Sequence, residues 1–325
     1  MRLILCIIYV LMGALFYAYP NITRRELLFA VPVPPGFRES PAGRHAIRMF
    51  RLAIVAAVLA GACALLLAPA GLANAMAGAM PIAISLAGAV AFWRQNRALA
   101  ASAQQYTRPR EAEMTSTPER LPWYGWLAAG PFAILAAAAT WLYLNWDRIP
   151  ERFPVHFDVS GQANRWATRT IKGVYGPLFF GAELCAFTLI MAVAAWFGAR
   201  RSRTRPVMLG GMIAAEYLLG LLFALITLQA PLGIPVWVIA LAPVAILIPL
   251  IIVMVRKMTE PWEPMDPTPN ECWKADIFYY NPNDAALFVE KRAGLGFTLN
   301  FANRWCWVLL LCLVLVVVSA RFVVA

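Results

Sequence analysis

Charge is scarce in this chain. Asp, Glu, Lys and Arg make up 14% of its 325 residues and hydrophobic side chains 61%, where a soluble domain carries about 25% and about 45–50%. That balance excludes an ordinary water-soluble fold, because too few polar residues remain to cover the apolar ones. Histidine occurs only at His45 and His156. The six cysteines, Cys6, Cys63, Cys185, Cys272, Cys306 and Cys312, include no pair at CxxC spacing. Neither a zinc site nor a disulfide framework is therefore expected, nor any cofactor. Gly-x-Ser-x-Gly, His-Glu-x-x-His, a P-loop and a paired-Asp motif are all missing, and no nucleophile stands beside a base. The chain is read as not an enzyme. It also lacks the basic-aromatic signatures of DNA- and RNA-binding folds, so no nucleic acid partner is expected from its net charge of +11.

Long apolar runs are what the chain has in abundance. Stretches of roughly 18 or more uncharged apolar residues read as membrane spans. Eight are expected, near 3–19, 52–70, 72–92, 123–145, 176–198, 207–229, 234–255 and 305–324. The first is read as a span and not as a cleaved signal. Its basic region is only Met1–Arg2, and no small-x-small site follows Ala18–Tyr19–Pro20. With eight spans, 21 of the 28 Lys and Arg fall in the odd-numbered loops. Positive charge stays cytoplasmic, so both termini are expected outside. The short fifth loop, Ala199–Pro206, with four Arg and no acid, is the strongest marker. A basic rim of this kind attracts anionic headgroups, at about 1 kcal/mol per Lys or Arg, so the lipid bilayer is the expected partner for the positive charge.

The fold expected is an all-α integral membrane protein, residues 1–325 forming a single multipass domain with about eight transmembrane helices and two small structured loop modules. One module spans 146–175 on the outer side. It opens on an extended Pro150–Pro154 entry, turns at Val159–Gln162, and carries Phe157 and Trp166 as interface anchors. The other spans 256–304 on the cytoplasmic side. It has an Asn-Pro-Asn-Asp turn at 281–284, Lys291–Arg292, and a Gly-x-Gly at 294–296 too isolated to signal phosphate. The first loop reads as a short strand near Leu27–Val33, a Pro-Pro-Gly turn, and a basic helix from Ser40 that could lie on the membrane.

Two groups of residues could carry chemistry. His156 and Asp158, with Asn164, could ligate a metal or sense pH, histidine being the side chain that ordinarily titrates nearest neutrality. They could equally be hydrogen-bonded loop residues, and one His with one carboxylate falls short of a zinc set. His45 is across the membrane in this topology. Of 17 acids, only Glu183 and Glu216 lie within spans. A centred charge costs about 3 kcal/mol on insertion scales, so such acids face protein or water. Counting from the expected span edges puts them at different depths, which disfavours direct pairing. Either they are neutral hydrogen-bonders, to Tyr217 or Asn145 for instance, or they handle protons or cations.

Ile149, Pro150, Pro154, His156, Phe157, Gly161 and Trp166 resemble a short pattern found in bacterial multipass proteins of the SdpI-like toxin-immunity family, within domain of unknown function 1648. The later loop resembles a second uncharacterised domain, domain of unknown function 5808, through Trp273, Lys274, Phe278, Tyr279, Asn281, Pro282, Asp284, Val289, Lys291, Arg292, Gly294, Gly296, Thr298 and Asn300. The resemblance implies a bacterial inner-membrane protein that binds a peptide or protein at its outer loop, for immunity, sensing or regulatory signalling. Asn281, Asp284, Lys291 and Arg292 would serve the cytoplasmic module. The alternative is a proton- or ion-coupled transporter using Glu183 and Glu216. The sequence leaves the oligomeric state open.

Overall fold

The computed structural model describes residues 2–23, 27–103, 120–158, 160–199, 204–243, 245, 247–248, 270–274, 278–291 and 297–323. The protein is an all-helical integral membrane protein in which small two-stranded hairpins supply the only sheet among the described residues. Six helices are long and apolar enough to cross a bilayer: Arg2–Asn21, Pro41–Leu67, Gly71–Ala100, Trp123–Leu144, Ile171–Gly198 and Arg205–Leu232. The C-terminal helix is apolar over a shorter stretch, Arg304–Ala320. Of the run expected at 234–255, residues 244, 246 and 249–255 lie outside the described residues. The single multipass domain read from the sequence is, in its contacts, two compact units.

The first unit holds α1 (Arg2–Ile22), α2 (Pro41–Leu67) and α3 (Ala70–Ala103). Ser40 caps α2, its hydroxyl accepting from the Gly43 amide at 3.1 Å, and Pro41 supplies the fixed φ that suits a first turn. From there the helix runs unbroken for 27 residues. The basic helix expected to lie on the membrane is instead the first turns of this span. Its buried positions, 43, 46, 50, 54, 58, 61 and 65, recur every three or four residues and make one stripe. Between α1 and α2, β1 (Leu27–Leu28) pairs with β2 (Val31–Pro32) through Phe29 and Ala30, at φ 49° and 66°. Two successive left-handed residues form the mirror-image turn that matches strand twist. Their strain is offset by burying Phe29 among Tyr19, Phe50 and Phe92.

The second unit positions the candidate site. A 3-10 helix, Trp123–Ala129, passes into α4 (Gly130–Leu144). Then come β3 (Arg152–Phe157), β4 (Ala163–Thr168), α5 (Ile171–Gly198) and α6 (Thr204–Leu232). Here α5 packs along α6 and the C-terminal helix (Arg304–Val323), while α4 packs on α6. Small residues allow the approach, as expected where lipid removes any hydrophobic drive between helices. A Cβ on Gly130 would strike Tyr217, one on Gly181 would strike Phe223, and one on Gly220 would meet Pro131. Gly233, at φ 63°, ends α6 with the Ile234 amide bonded back to the Gln229 carbonyl at 2.9 Å, a Schellman stop.

Candidate functional site

The outer stretch folds as a β-hairpin. β3 and β4 are antiparallel, with Phe153 opposite Ala167 and Pro154 opposite Trp166, and the register slips on either side of His156. Asp158 builds the turn. Its Oδ1 accepts from the Ser160 amide at 2.8 Å, the Ser160 hydroxyl and the Gln162 amide at 2.9 Å. Gly161 takes φ 89°, which a side chain would resist. These donors, the Ser160 hydroxyl foremost and the Gln162 amide next, hold the Asp158 carboxyl below its ordinary value. His156 Nδ1 donates to Asn164 Oδ1 at 2.6 Å, an exposed cross-strand pair. Among the described residues no three His, Cys, Asp or Glu gather as a metal site. His156 Nδ1 and Asp158 Oδ1 thus serve the hairpin itself.

Trp166 is not the residue that seats this hairpin in the protein. It is 47% exposed, with the Arg152 guanidinium 5.7 Å from its ring centre. The anchors are Ile149 and Phe153, buried with Leu142, Val174 and Leu178 between α4 and α5. Arg169 ties the hairpin base down by donating to the Ile149 carbonyl at 3.1 Å. Thr170 then caps α5, accepting from the Gly173 amide at 3.0 Å. The register of the hairpin is thereby fixed to the first turn of a span.

At the other end of α5 the later module docks. The Gly198 carbonyl accepts from the Leu287 amide at 2.9 Å, and Ala199 bridges Phe288 in parallel. Leu287, Phe288 and Val289 are all buried. Asn300, fully buried, organises the turn beside them. Its Nδ2 donates to the carbonyls of Asn281 and Asp284, both at 2.9 Å, and its Oδ1 accepts from the amides of Asn281 and Ala302. The Tyr279 hydroxyl donates to Asp284 Oδ2 at 2.9 Å and accepts from Asn281 Nδ2 at 3.0 Å. Asn281 and Asp284 are consequently turn builders. Lys291 is half-buried, and Arg292, Gly294 and Gly296 lie outside the described residues.

The intramembrane acids differ sharply. Ser319 of the C-terminal helix donates to Glu183 Oε2. Helix register explains the meeting. Glu183 lies 15 residues before Gly198 on α5, and Ser319 lies 15 residues after Arg304, so two helices leaving the same module side by side reach equal depth about 22 Å on. Glu216 is wholly buried, and among the described residues neither carboxyl oxygen has a hydrogen-bond partner. The partners foreseen, Tyr217 and Asn145, serve neither acid: Asn145 donates to the Trp141 carbonyl. The Cys185 thiol reaches the Glu216 backbone carbonyl at 3.6 Å, which sets Glu216 level with Cys185 and only about 3 Å along the axis from Glu183. The expected difference in depth is small because α5 begins at Ile171, five residues before the expected edge. Direct pairing still fails, since residues 183 and 185 lie about 200° apart on α5, facing the C-terminal helix and α6 respectively. Ser319 could have been found from sequence only as a lone hydroxyl in an apolar run.

Two family models match. One, described as Domain of unknown function (DUF1648), covers residues 132–180, which take in α4 from Phe132, the hairpin and the first part of α5. The other, described as Family of unknown function (DUF5808), covers 282–307, the turn and the start of the C-terminal helix. They are the two domains whose patterns the sequence resembles. No curated protein and no solved structure gives a significant match.

Proposed function

We propose that this is a non-enzymatic protein of the bacterial inner membrane, both termini outside, which binds a peptide or protein at the β3–β4 hairpin and passes the event to the 278–303 module inside. One observation carries this reading: among the described residues, α5 touches both. It is capped at Thr170 beside the hairpin and bonded to the module at Gly198, one helix of 28 residues, about 42 Å, with Pro177 inside it, against a hydrocarbon core of about 30 Å. The proline is where the helix can bend, and the hairpin's seat reaches Leu178 just past it, so a shift of that seat is carried along the rest of the helix to the module. Immunity and regulatory signalling are both forms of this device. Exposed Trp166, Val155 and Arg152 on the hairpin supply the surface for a partner. A second reading, proton- or ion-coupled transport, is favoured by the unpaired carboxyl of Glu216.

Hydrogen exchange on the full-length protein in nanodiscs tests the transmission. Phe153→Ala removes the hairpin's seat without touching the module. The expected result is faster exchange at the Leu287 amide, with Trp166→Ala leaving it unchanged. An unaltered Leu287 amide in Phe153→Ala would end the signalling reading.

A further inference from the structure

We infer that Glu216 is a proton-binding site that gates the seam between α4, α5 and α6. Its side chain is 0% exposed, and among the described residues both oxygens lack partners. Above and below it on α6 lie two apolar clusters, one with Leu209 and Ile213 against Ala128 and Ala192, the other with Ala224 against Leu135 and Leu178. An unpaired neutral carboxyl costs about 1–3 kcal/mol in such a place, and nothing in the packing recovers it. Leucine would fit that seam at lower cost. The acid therefore serves something other than the stability of this arrangement.

The ligand is a proton and not a metal cation. Alkali and alkaline-earth ions need several oxygens around them, and the described neighbours offer too few. The titratable groups nearby are the Cys185 thiol on α5, the Tyr217 hydroxyl on α6 and Tyr124 on the 3-10 helix. Glu183 faces the C-terminal helix, and Arg205, buried eleven residues earlier, bonds to the Ala199 carbonyl. Among the described residues no cation stands beside the carboxyl to hold its anion. Protonated, Glu216 sits in the closed seam. Once the proton leaves for water, the anion must be hydrated, and the seam must part. The place to part is beside it: the 3-10 helix becomes α-helix at Ala129–Gly130, and Pro131 packs on Gly220, one turn from Glu216 on the same face. This holds for a signalling bundle and for a carrier alike.

Cys185 is a built-in reporter, since its buried thiol touches the Glu216 backbone. In the full-length protein in liposomes, a membrane-permeant maleimide is applied across a pH series, with Cys272, part-exposed in the loop module outside the spans, as internal reference for thiol ionisation. The expected result is a Cys185-to-Cys272 modification ratio that rises up to about a hundredfold on deprotonation, the equivalent of the roughly 3 kcal/mol that a charge costs at mid-membrane. In Glu216→Gln and Glu216→Leu the ratio should stay flat and low. A ratio independent of pH in the native protein overturns the proposal, as does the same rise in either variant.

Discussion

Asp158 and Glu216 are both carboxyls, and the protein treats them in opposite ways. Asp158 stands at the surface, part-exposed to water, yet accepts bonds from the Ser160 hydroxyl and the Ser160 and Gln162 amides. Glu216 stands in the deepest part of a helix seam with neither oxygen partnered among the described residues. Where water would have satisfied the group, the chain supplies donors, and where water is shut out, it supplies none. A carboxyl surrounded by its own turn's amides is an element of architecture. A carboxyl left bare in an apolar seam costs stability and must be retained for what it does when the seam changes.

The largest way to break that contrast is to let water into the seam. Gly220→Val would place its branched side chain against Pro131, which already lies 3.1 Å from a Cβ built there. Forcing α4 off α6 should cost about 1–3 kcal/mol and lower accumulation in the membrane, read by immunoblot and thermal unfolding. Next in size is Asn300, as buried as Glu216 but with its polar atoms bonded. Asn300→Ala strands two amides and two carbonyls, and should cost about 2 kcal/mol, with hydrogen exchange rising across 279–303. Smaller still is the difference between the two intramembrane acids. Glu183→Leu takes the partner from Ser319, which keeps its bond to the Val316 carbonyl, and should cost about 1 kcal/mol. Glu216→Leu removes nothing that was bonded and should leave the melting temperature unchanged or raise it. A larger loss in Glu216→Leu than in Glu183→Leu would mean that Glu216 has a structural partner.

The smallest effect belongs to Asp158. Its folded value lies below the ordinary 3.8, so its contribution is present above that ordinary value and is lost as pH falls through the folded one. The hairpin amides should exchange faster only in acid below about pH 4, and Asp158→Asn should remove that dependence. Being at the surface and bonded only within its own turn, the group should shift global unfolding little.

Much of this was legible in the sequence because hydropathy and helix capping are local. Six spans and the Ser40–Pro41 start of α2 can be read from neighbouring letters. Of the hairpin, the turn at Val159–Gln162 and the alternation of Phe153, Val155 and Phe157 with Arg152, Pro154 and His156 are local too, but its pairing register is not, since Ala163–Thr168 holds one large apolar side chain, Trp166, and no alternation of its own. Trp166 reads as an anchor at the membrane interface, whereas the residue that seats the hairpin on the helices is Phe153, buried with Val174 and Leu178 of α5. The relation between Glu183 and Glu216 depended on where α5 begins, and a shift of five residues removed most of the expected difference in depth. Ser319 lies 136 residues from Glu183, so only the packing of the C-terminal helix reveals the pair. That Glu216 has no partner is likewise a property of the surroundings.

The most direct measurement of the central claim is infrared spectroscopy of the full-length protein in lipid at neutral pH, following the carbonyl stretch of protonated carboxylic acids. The native protein should show a protonated-acid component that persists in Glu183→Gln, disappears in Glu216→Gln, and fades as pH is raised. A native spectrum without that component, or one unchanged by Glu216→Gln, would contradict the account.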